Sequence, residues 1–191
     1  LVSGSNRSNA GSVTLFKVDG AGNITRTVTL TAPSPYSSNY FGVSVSMSGN
    51  FLAIGEQRRN HIQNYSGAVY LYKINANGTA QLTATLHSPN PTYYGYFGFS
   101  VDLSGDRLVV GAYNENSEIA SNSGSAYIYK VKPDGSVSLL EVLTHPSAKS
   151  SDRLGISVGT SGRLTIVGAD YFDPPPDKWN AGGAVLFRSS F

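Results

Sequence analysis

The chain states one phrase several times at a fixed interval. Phe41-Gly42-Val43-Ser44-Val45-Ser46-Met47-Ser48-Gly49 returns as Phe97-Gly98-Phe99-Ser100-Val101-Asp102-Leu103-Ser104-Gly105. It returns again as Leu154-Gly155-Ile156-Ser157-Val158-Gly159-Thr160-Ser161-Gly162. A second phrase keeps step with it, from Gly11 to Lys17, Gly67 to Lys73, Gly124 to Lys130 and Gly182 to Arg188. The interval is about 56 to 58 residues, in the range of propellers and other repeat arrays. Each unit of such an array buries its apolar face only against its neighbours. The repeat therefore outweighs the one or two independent domains that 191 residues would otherwise suggest. The units run over about 1–40 (partial), 41–96, 97–153 and 154–191 (partial).

Each unit divides into four short strands joined by turn residues. In the second unit, Phe41 to Met47 alternates apolar residues with serine, and Ser48-Gly49-Asn50 turns the chain into Phe51 to Ile54. Ala68 to Ile74 forms a third strand, with Val69 and Leu71 on one face and Tyr70 and Tyr72 on the other. Asn77-Gly78 then makes a hairpin into Ala80 to Leu86, matched by Ile24 to Leu30 and Val137 to Leu143. No window carries apolar residues at helical spacing, and glycines interrupt every stretch. Four antiparallel strands per unit of this length predict an all-β fold, a propeller of four-stranded blades with about three and a half blades present. A solenoid is the competing architecture, disfavoured by the long repeat.

Charge and composition exclude several classes. The net charge is +2 with no basic or acidic block, which supports neither a nucleic-acid footprint nor an electrostatic membrane patch. The absence of cysteine removes disulfides, thiolate metal sites and cysteine nucleophiles. No apolar run approaches the roughly 20 residues that span a bilayer as a helix. Leu1-Val2-Ser3-Gly4 aligns with Ala53-Ile54-Gly55 in mid-unit, so the sequence reads as a segment of a longer protein.

The recurring Phe-Gly-x-Ser-Val, paired with Ile54-Gly55-Glu56, Val110-Gly111-Ala112 and Val167-Gly168-Ala169, resembles the FG-GAP repeat, the blade unit of integrin α-subunit propellers. The resemblance implies a propeller whose long loops face a ligand. In the integrin-type repeat a calcium ion sits in an Asp-x-Asp-x-Asp-Gly loop between the first two strands, because calcium takes six to eight oxygens. Here that place holds only Ser48-Gly49-Asn50, Ser104-Gly105-Asp106 or Ser161-Gly162-Arg163, so a calcium-free variant is expected, with no metal and no cofactor.

Candidate binding residues lie in the loops that break the repetition, where a rigid scaffold usually carries its recognition groups. Aromatics collect there: Tyr36, Tyr40, Tyr93, Tyr94, Tyr96, Tyr113, Tyr171, Phe172 and Trp179, of which Tyr93, Tyr94, Tyr96, Tyr171 and Trp179 are the candidate binding residues. Such rings either stack on sugars, anchor a protein partner, or pack blade against blade. Arg58 and Arg59 could meet an acidic group. Asn6, Asn23, Asn64 and Asn77 open Asn-x-Ser/Thr sequons and are candidate glycosylation sites on a secreted protein. No nucleophile elbow, phosphate loop or zinc spacing is present. The expectation is a non-enzymatic extracellular or cell-surface module for adhesion or assembly. Its partners would be a protein or glycan ligand and the remainder of a longer chain or neighbouring copies completing the propeller. The alternatives are a lectin-like propeller using loop aromatics and a structural subunit of a filament or coat.

Overall fold

The computed structural model describes residues 2–5, 10–173 and 180–189. Among them are fourteen strands and no helix. β1 (Val2–Ser5), β2 (Ser12–Val18) and β3 (Ile24–Leu30) form a three-stranded meander. β4 (Phe41–Ser48), β5 (Phe51–Glu56), β6 (Ala68–Ile74) and β7 (Ala80–Leu86) form a four-stranded one. β8 (Ser100–Ser104), β9 (Arg107–Ala112), β10 (Ser125–Val131) and β11 (Val137–Leu143) repeat it. β12 (Leu154–Ser161), β13 (Leu164–Ala169) and β14 (Gly183–Arg188) close the series with three. All pairings within these sheets are antiparallel and sequential, and the ring they begin is open. We call the sheets blades 1 to 4. The first strands β4, β8 and β12 pack against one another and line the axis.

Apolar burial lies between blades. Val13 and Leu15 of blade 1 pack on Leu52, Ile54, Tyr70 and Tyr72 of blade 2. Val69 and Leu71 on the opposite face of blade 2 pack on Val101, Leu103, Val110 and Tyr127 of blade 3. Val109 and Ile128 then meet Val167 and Val185 of blade 4. The two faces read from the third strand of blade 2 are thus the two inter-blade surfaces. Leu15, Leu71 and Ile128 hold one repeat position and are 5%, 0% and 0% exposed, whereas Leu186, at the same position, is 64% exposed. The difference is the presence of a following blade, which removes the apolar surface from water.

The repeated phrase is a two-way fastening between blades. Its first residue reaches backward: the N–H groups of Phe41, Phe97 and Leu154 donate to the carbonyls of Ala10, Ser66 and Ser123 in the preceding blade, at 2.9, 2.9 and 2.8 Å. The following glycines, Gly42, Gly98 and Gly155, take φ of 87°, 85° and 96°, and at Gly42 and Gly155 the strand bulges at the junction. The serine reaches forward. Ser44 Oγ donates to the Gly98 carbonyl and Ser100 Oγ to the Gly155 carbonyl, each at 2.8 Å. The glycine of the Val-Gly-Ala phrase clears the space for that same carbonyl. A Cβ on Gly55 would lie 1.9 Å from the Gly98 oxygen, and one on Gly111 would lie 2.1 Å from the Gly155 oxygen. Further along the axis, Asp102 accepts from Ser46 Oγ of blade 2 and from the Thr160 N–H of blade 4, at 3.1 and 2.6 Å.

Candidate functional site

The start of each first strand faces one end of the axis, and there the chain takes an expensive backbone conformation. Tyr40, Tyr96 and Arg153 immediately precede Phe41, Phe97 and Leu154, the opening residues of the repeated phrase in blades 2, 3 and 4, with φ of 59°, 56° and 63°. Tyr94 (60°) precedes Tyr96 by two residues, and Tyr65 (54°) lies in the loop after β5. The left-handed conformation costs a residue with a Cβ of order 1 kcal/mol, and glycine would adopt it freely. Large side chains are kept at these positions against that cost, and they converge.

Their side chains form a continuous ladder of rings and guanidinium groups across three blades. The Arg58 guanidinium carbon lies 4.6 Å from the centre of the Tyr40 ring and 5.8 Å from that of Tyr65. Tyr65 meets Tyr94 at 5.0 Å, and Tyr94 meets Tyr93 at 4.8 Å and Tyr96 at 6.1 Å. Tyr96 stacks on Tyr113 at 5.4 Å, and Phe99 meets the edge of Tyr113 at 4.6 Å. Arg153 completes the run, 4.9 Å from Tyr113 and 4.7 Å from Tyr171, with its Nε 3.4 Å from Asp170 Oδ1. Each ring–cation contact contributes about 0.5–1 kcal/mol where water has access. The backbone beneath is stitched across blades: the N–H groups of Tyr94 and Tyr96 donate to the carbonyls of Asn64 and Tyr65 at 3.0 and 3.1 Å. Asn114 Nδ2 donates to the Tyr94 carbonyl at 2.9 Å. Burial raises the phenol pKa of Tyr96 and Tyr113, so both remain neutral hydrogen-bonding groups at ordinary pH.

Two buried carboxyl groups hold the loops behind this face. Tyr70 Oη donates to Glu56 Oε2 at 2.6 Å, and Asn39 Nδ2 donates to Glu56 Oε1 at 3.0 Å. In blade 3, the equivalent Tyr127 donates instead to Glu115, which is three residues further along its repeat than Glu56. Ser88 Oγ joins Tyr127 Oη at 3.2 Å, and Glu115 Oε1 is buried without a hydrogen bond. Burial raises both carboxyl pKa values, that of Glu115 to about 8.

His61 and His87 stack face to face at 3.8 Å beside the loop that carries Arg58. Burial, and then the charge His61 would carry, lower the pKa of His87; Arg59 adds to this and a contact with the Gly67 carbonyl opposes it. A depressed histidine pKa stabilises the folded loop above about pH 6.5 and loses that stabilisation as the pH falls through the folded value. The protection of residues 57–66 against hydrogen exchange, taken relative to the intrinsic rate at each pH, is therefore expected to fall as the pH drops below about 6.5. His87→Gln should flatten the response, and an unchanged pH profile in that variant would refute the assignment.

The sequence-derived candidates divide clearly. Tyr93, Tyr94, Tyr96, Tyr171 and Arg58 belong to the ladder. Arg59 does not: its Nη1 donates to the Ser34 carbonyl at 2.9 Å, away from the rings. Trp179 and Asn6 lie outside the described residues. Asn23 donates to Asp19, Asn64 to the Tyr93 hydroxyl, and Asn77 accepts from Thr79, all at exposed positions. Sequence reading missed Tyr65 and Arg153, and counted Tyr40 and Tyr113 among the loop aromatics without naming them as binding residues. Arg153 holds the repeat position of Tyr40 and Tyr96, and that alignment is the signal that could have found it.

The integrin-type repeat holds its calcium between the first two strands. Here that place is a tight turn whose only carboxylate among the three copies, Asp106, pairs with Lys130 Nζ at 3.1 Å. Asp102, the nearest other carboxylate of the first strands, has both oxygens engaged between blades. A separate cleft of about 600 Å3 opens between blades 2 and 3, with Asn90, Asn116, Tyr127 and His145 on its walls. His145 is turned away from chemistry there, its Nδ1 accepting the Ser147 N–H at 3.2 Å and its ring against Phe172.

Comparison with known proteins agrees with this architecture. The chain matches the FG-GAP repeat over residues 24–72 and 81–129. Among solved structures it resembles a periplasmic gluconolactonase of Pseudomonas aeruginosa, with a TM-score of 0.57 and 16% identity over 92% of this chain and 46% of that one. It also resembles a protein from Lactobacillus plantarum, with a TM-score of 0.58 and 18% identity over 98% of this chain and 51% of that one. The chain thus spans about half the length of the structures it matches. At such identity the likeness establishes architecture alone, but it corrects one expectation. The adhesion or assembly module, its lectin-like and filament alternatives, and the exclusion of enzymatic activity all drew on the fold and on missing local motifs. The Pseudomonas protein shares this architecture and is named a gluconolactonase, so the architecture gives no ground for excluding an enzyme. With its repeat phrases in register from blade to blade and the match extending over just over half of its residues, the chain belongs to the FG-GAP repeat family.

Proposed function

We propose that the ladder is the substrate face of an enzymatic propeller that hydrolyses a small polyhydroxy ring ester, a lactone of the sugar type. The supporting observation is the run of rings that ends on the Arg153–Asp170 pair. Aromatic faces hold the C–H face of a sugar ring, and a few placed polar groups fix its orientation. At the end of the run, the Arg153 guanidinium is suited to stabilise the oxyanion that forms when water adds to the lactone carbonyl. The Asp170 carboxylate beside it is suited to accept the proton of that water. The ring C–O bond then breaks, and the leaving alkoxide takes up a proton to give the hydroxy acid. The name of the Pseudomonas neighbour supports this substrate class. Its periplasmic location and the exposed positions of Asn23, Asn64 and Asn77 support a site of action outside the cytoplasm. Further blades, from the rest of a longer chain or from neighbouring copies, would complete the ring.

The test is acid release from glucono-δ-lactone above the spontaneous rate. Asp170→Asn is expected to remove the enzymatic rate, and Tyr94→Ala to raise KM about tenfold, the equivalent of 1.4 kcal/mol of lost ring contact. No rate above background, or rates indifferent to both substitutions, would refute the reading.

A further inference from the structure

The ladder carries two cations, and only one of them is neutralised. Arg153 pairs with Asp170. Arg58 makes no ion pair and no side-chain hydrogen bond among the described residues, although it is half-buried and held over two tyrosine rings. Its neighbour Arg59 already donates to the Ser34 carbonyl. The positive charge of Arg58 also reaches inward, lowering the phenol pKa values of Tyr96 and Tyr113 against the larger effect of burial. A guanidinium stacked on rings loses water from its faces and keeps its edge of N–H donors free. That edge matches the paired oxygens of a carboxylate or phosphate group. With a net charge of only +2, the chain has no general attraction for anions to account for such a placement.

We infer that Arg58 anchors an anionic oxygen group carried on the ligand's ring, so that the face selects acidic sugars, carboxylate- or phosphate-bearing, over neutral ones. This rests on the ladder being the ligand face. The rings from Tyr65 to Tyr113 supply the ring contact, and Arg58, at the end opposite Arg153 and Asp170, supplies the charge contact. An acidic ligand is then held by one end and presented to the other.

The test is calorimetric titration of the whole chain with D-glucose, D-glucuronate, D-glucose 6-phosphate and inorganic phosphate, beside the lactone assay. Glucuronate or glucose 6-phosphate is expected to bind at least tenfold more tightly than glucose, with the advantage shrinking as salt rises. Tighter binding of glucuronate identifies a carboxylate as the native group, and tighter binding of glucose 6-phosphate identifies a phosphate. Arg58→Gln should abolish the advantage, Arg58→Lys should retain part of it, and Arg59→Gln, which lies off the ladder, should leave it intact. Equal binding of glucose and both acidic sugars, or an advantage that survives Arg58→Gln, overturns the inference. If lactone hydrolysis persists in that case, the substrate face stands and only the anion anchor falls. Binding of inorganic phosphate as tight as that of glucose 6-phosphate also overturns it, because the ring would then contribute nothing.

Discussion

Gly111→Ala is expected to prevent blades 3 and 4 from docking, while the same substitution at Gly168 is nearly silent. The two glycines hold one repeat position, and neither has a left-handed φ, so conformational freedom does not distinguish them. A methyl on Gly111 would lie 2.1 Å from the backbone oxygen of Gly155, which cannot move without carrying the first strand of blade 4 with it. A methyl on Gly168 clashes with the Ser157 hydroxyl alone, at 2.3 Å, the end of a side chain that can rotate, its next neighbours lying at 3.6 and 3.7 Å. Overpacking a close backbone contact typically costs 1–3 kcal/mol. Here the displaced carbonyl also breaks the Ser100 hydrogen bond and opens the Val109–Ile128–Val167 core, so a loss of about 4 kcal/mol or more is expected. Gly168→Ala should cost less than about 1 kcal/mol. Urea denaturation of both variants checks this, and equal destabilisation would show that the glycine serves its own blade rather than the junction.

The second large effect is a dependence on pH from Glu115. Its folded pKa of about 8 lies well above the ordinary value of 4.5, so the buried carboxyl is held in its neutral form. The stabilisation that goes with a raised pKa is complete below about pH 4.5 and is lost as the pH rises through 8. The loss approaches roughly 1.4 kcal/mol for each pH unit between those values. Wild-type melting temperature should therefore fall from pH 6 to pH 9. Glu115→Gln, which can still accept from Tyr127 and carries no charge, should remove most of that slope and exceed the wild type in stability at pH 9. A smaller slope of the same sign will remain from Glu56, whose pKa burial also raises. A Glu115→Gln variant that keeps the full wild-type slope would place the titration elsewhere. Tyr127→Phe, which leaves the carboxyl without its donor, is expected to cost about 1–3 kcal/mol at every pH in this range.

The framework was legible because its signals are local. The third and fourth strands of blade 2, Ala68–Ile74 and Ala80–Leu86, are bounded by a glycine and an Asn-Gly turn and alternate cleanly, and the structure reproduces their limits. The site was half legible. Tyr93, Tyr94 and Tyr96 stand together in the sequence, but Tyr113 meets them through the folding of blade 3, and Arg153 and Tyr171 only through the stacking of blade 4 on it. Glu115 was hidden for a related reason. Alignment of the repeats pairs Glu56 with Ala112, while the fold lets a carboxyl from three residues later reach the same tyrosine hydroxyl. The search for catalytic motifs failed in the same way, since a site assembled from the rims of several blades leaves no contiguous signature.

The fastening between blades has a direction. Blades 2 and 3 each give a serine hydroxyl to the next blade and receive from it a backbone N–H, so the two faces of a blade are complementary to each other and not to themselves. Such a head-to-tail contact cannot terminate by pairing like with like, as a two-fold dimer does; it either returns to its own beginning or continues. The serine and glycine of each repeat therefore set a handed, vectorial order of assembly, in which a blade placed in reverse would find neither its donor nor its acceptor.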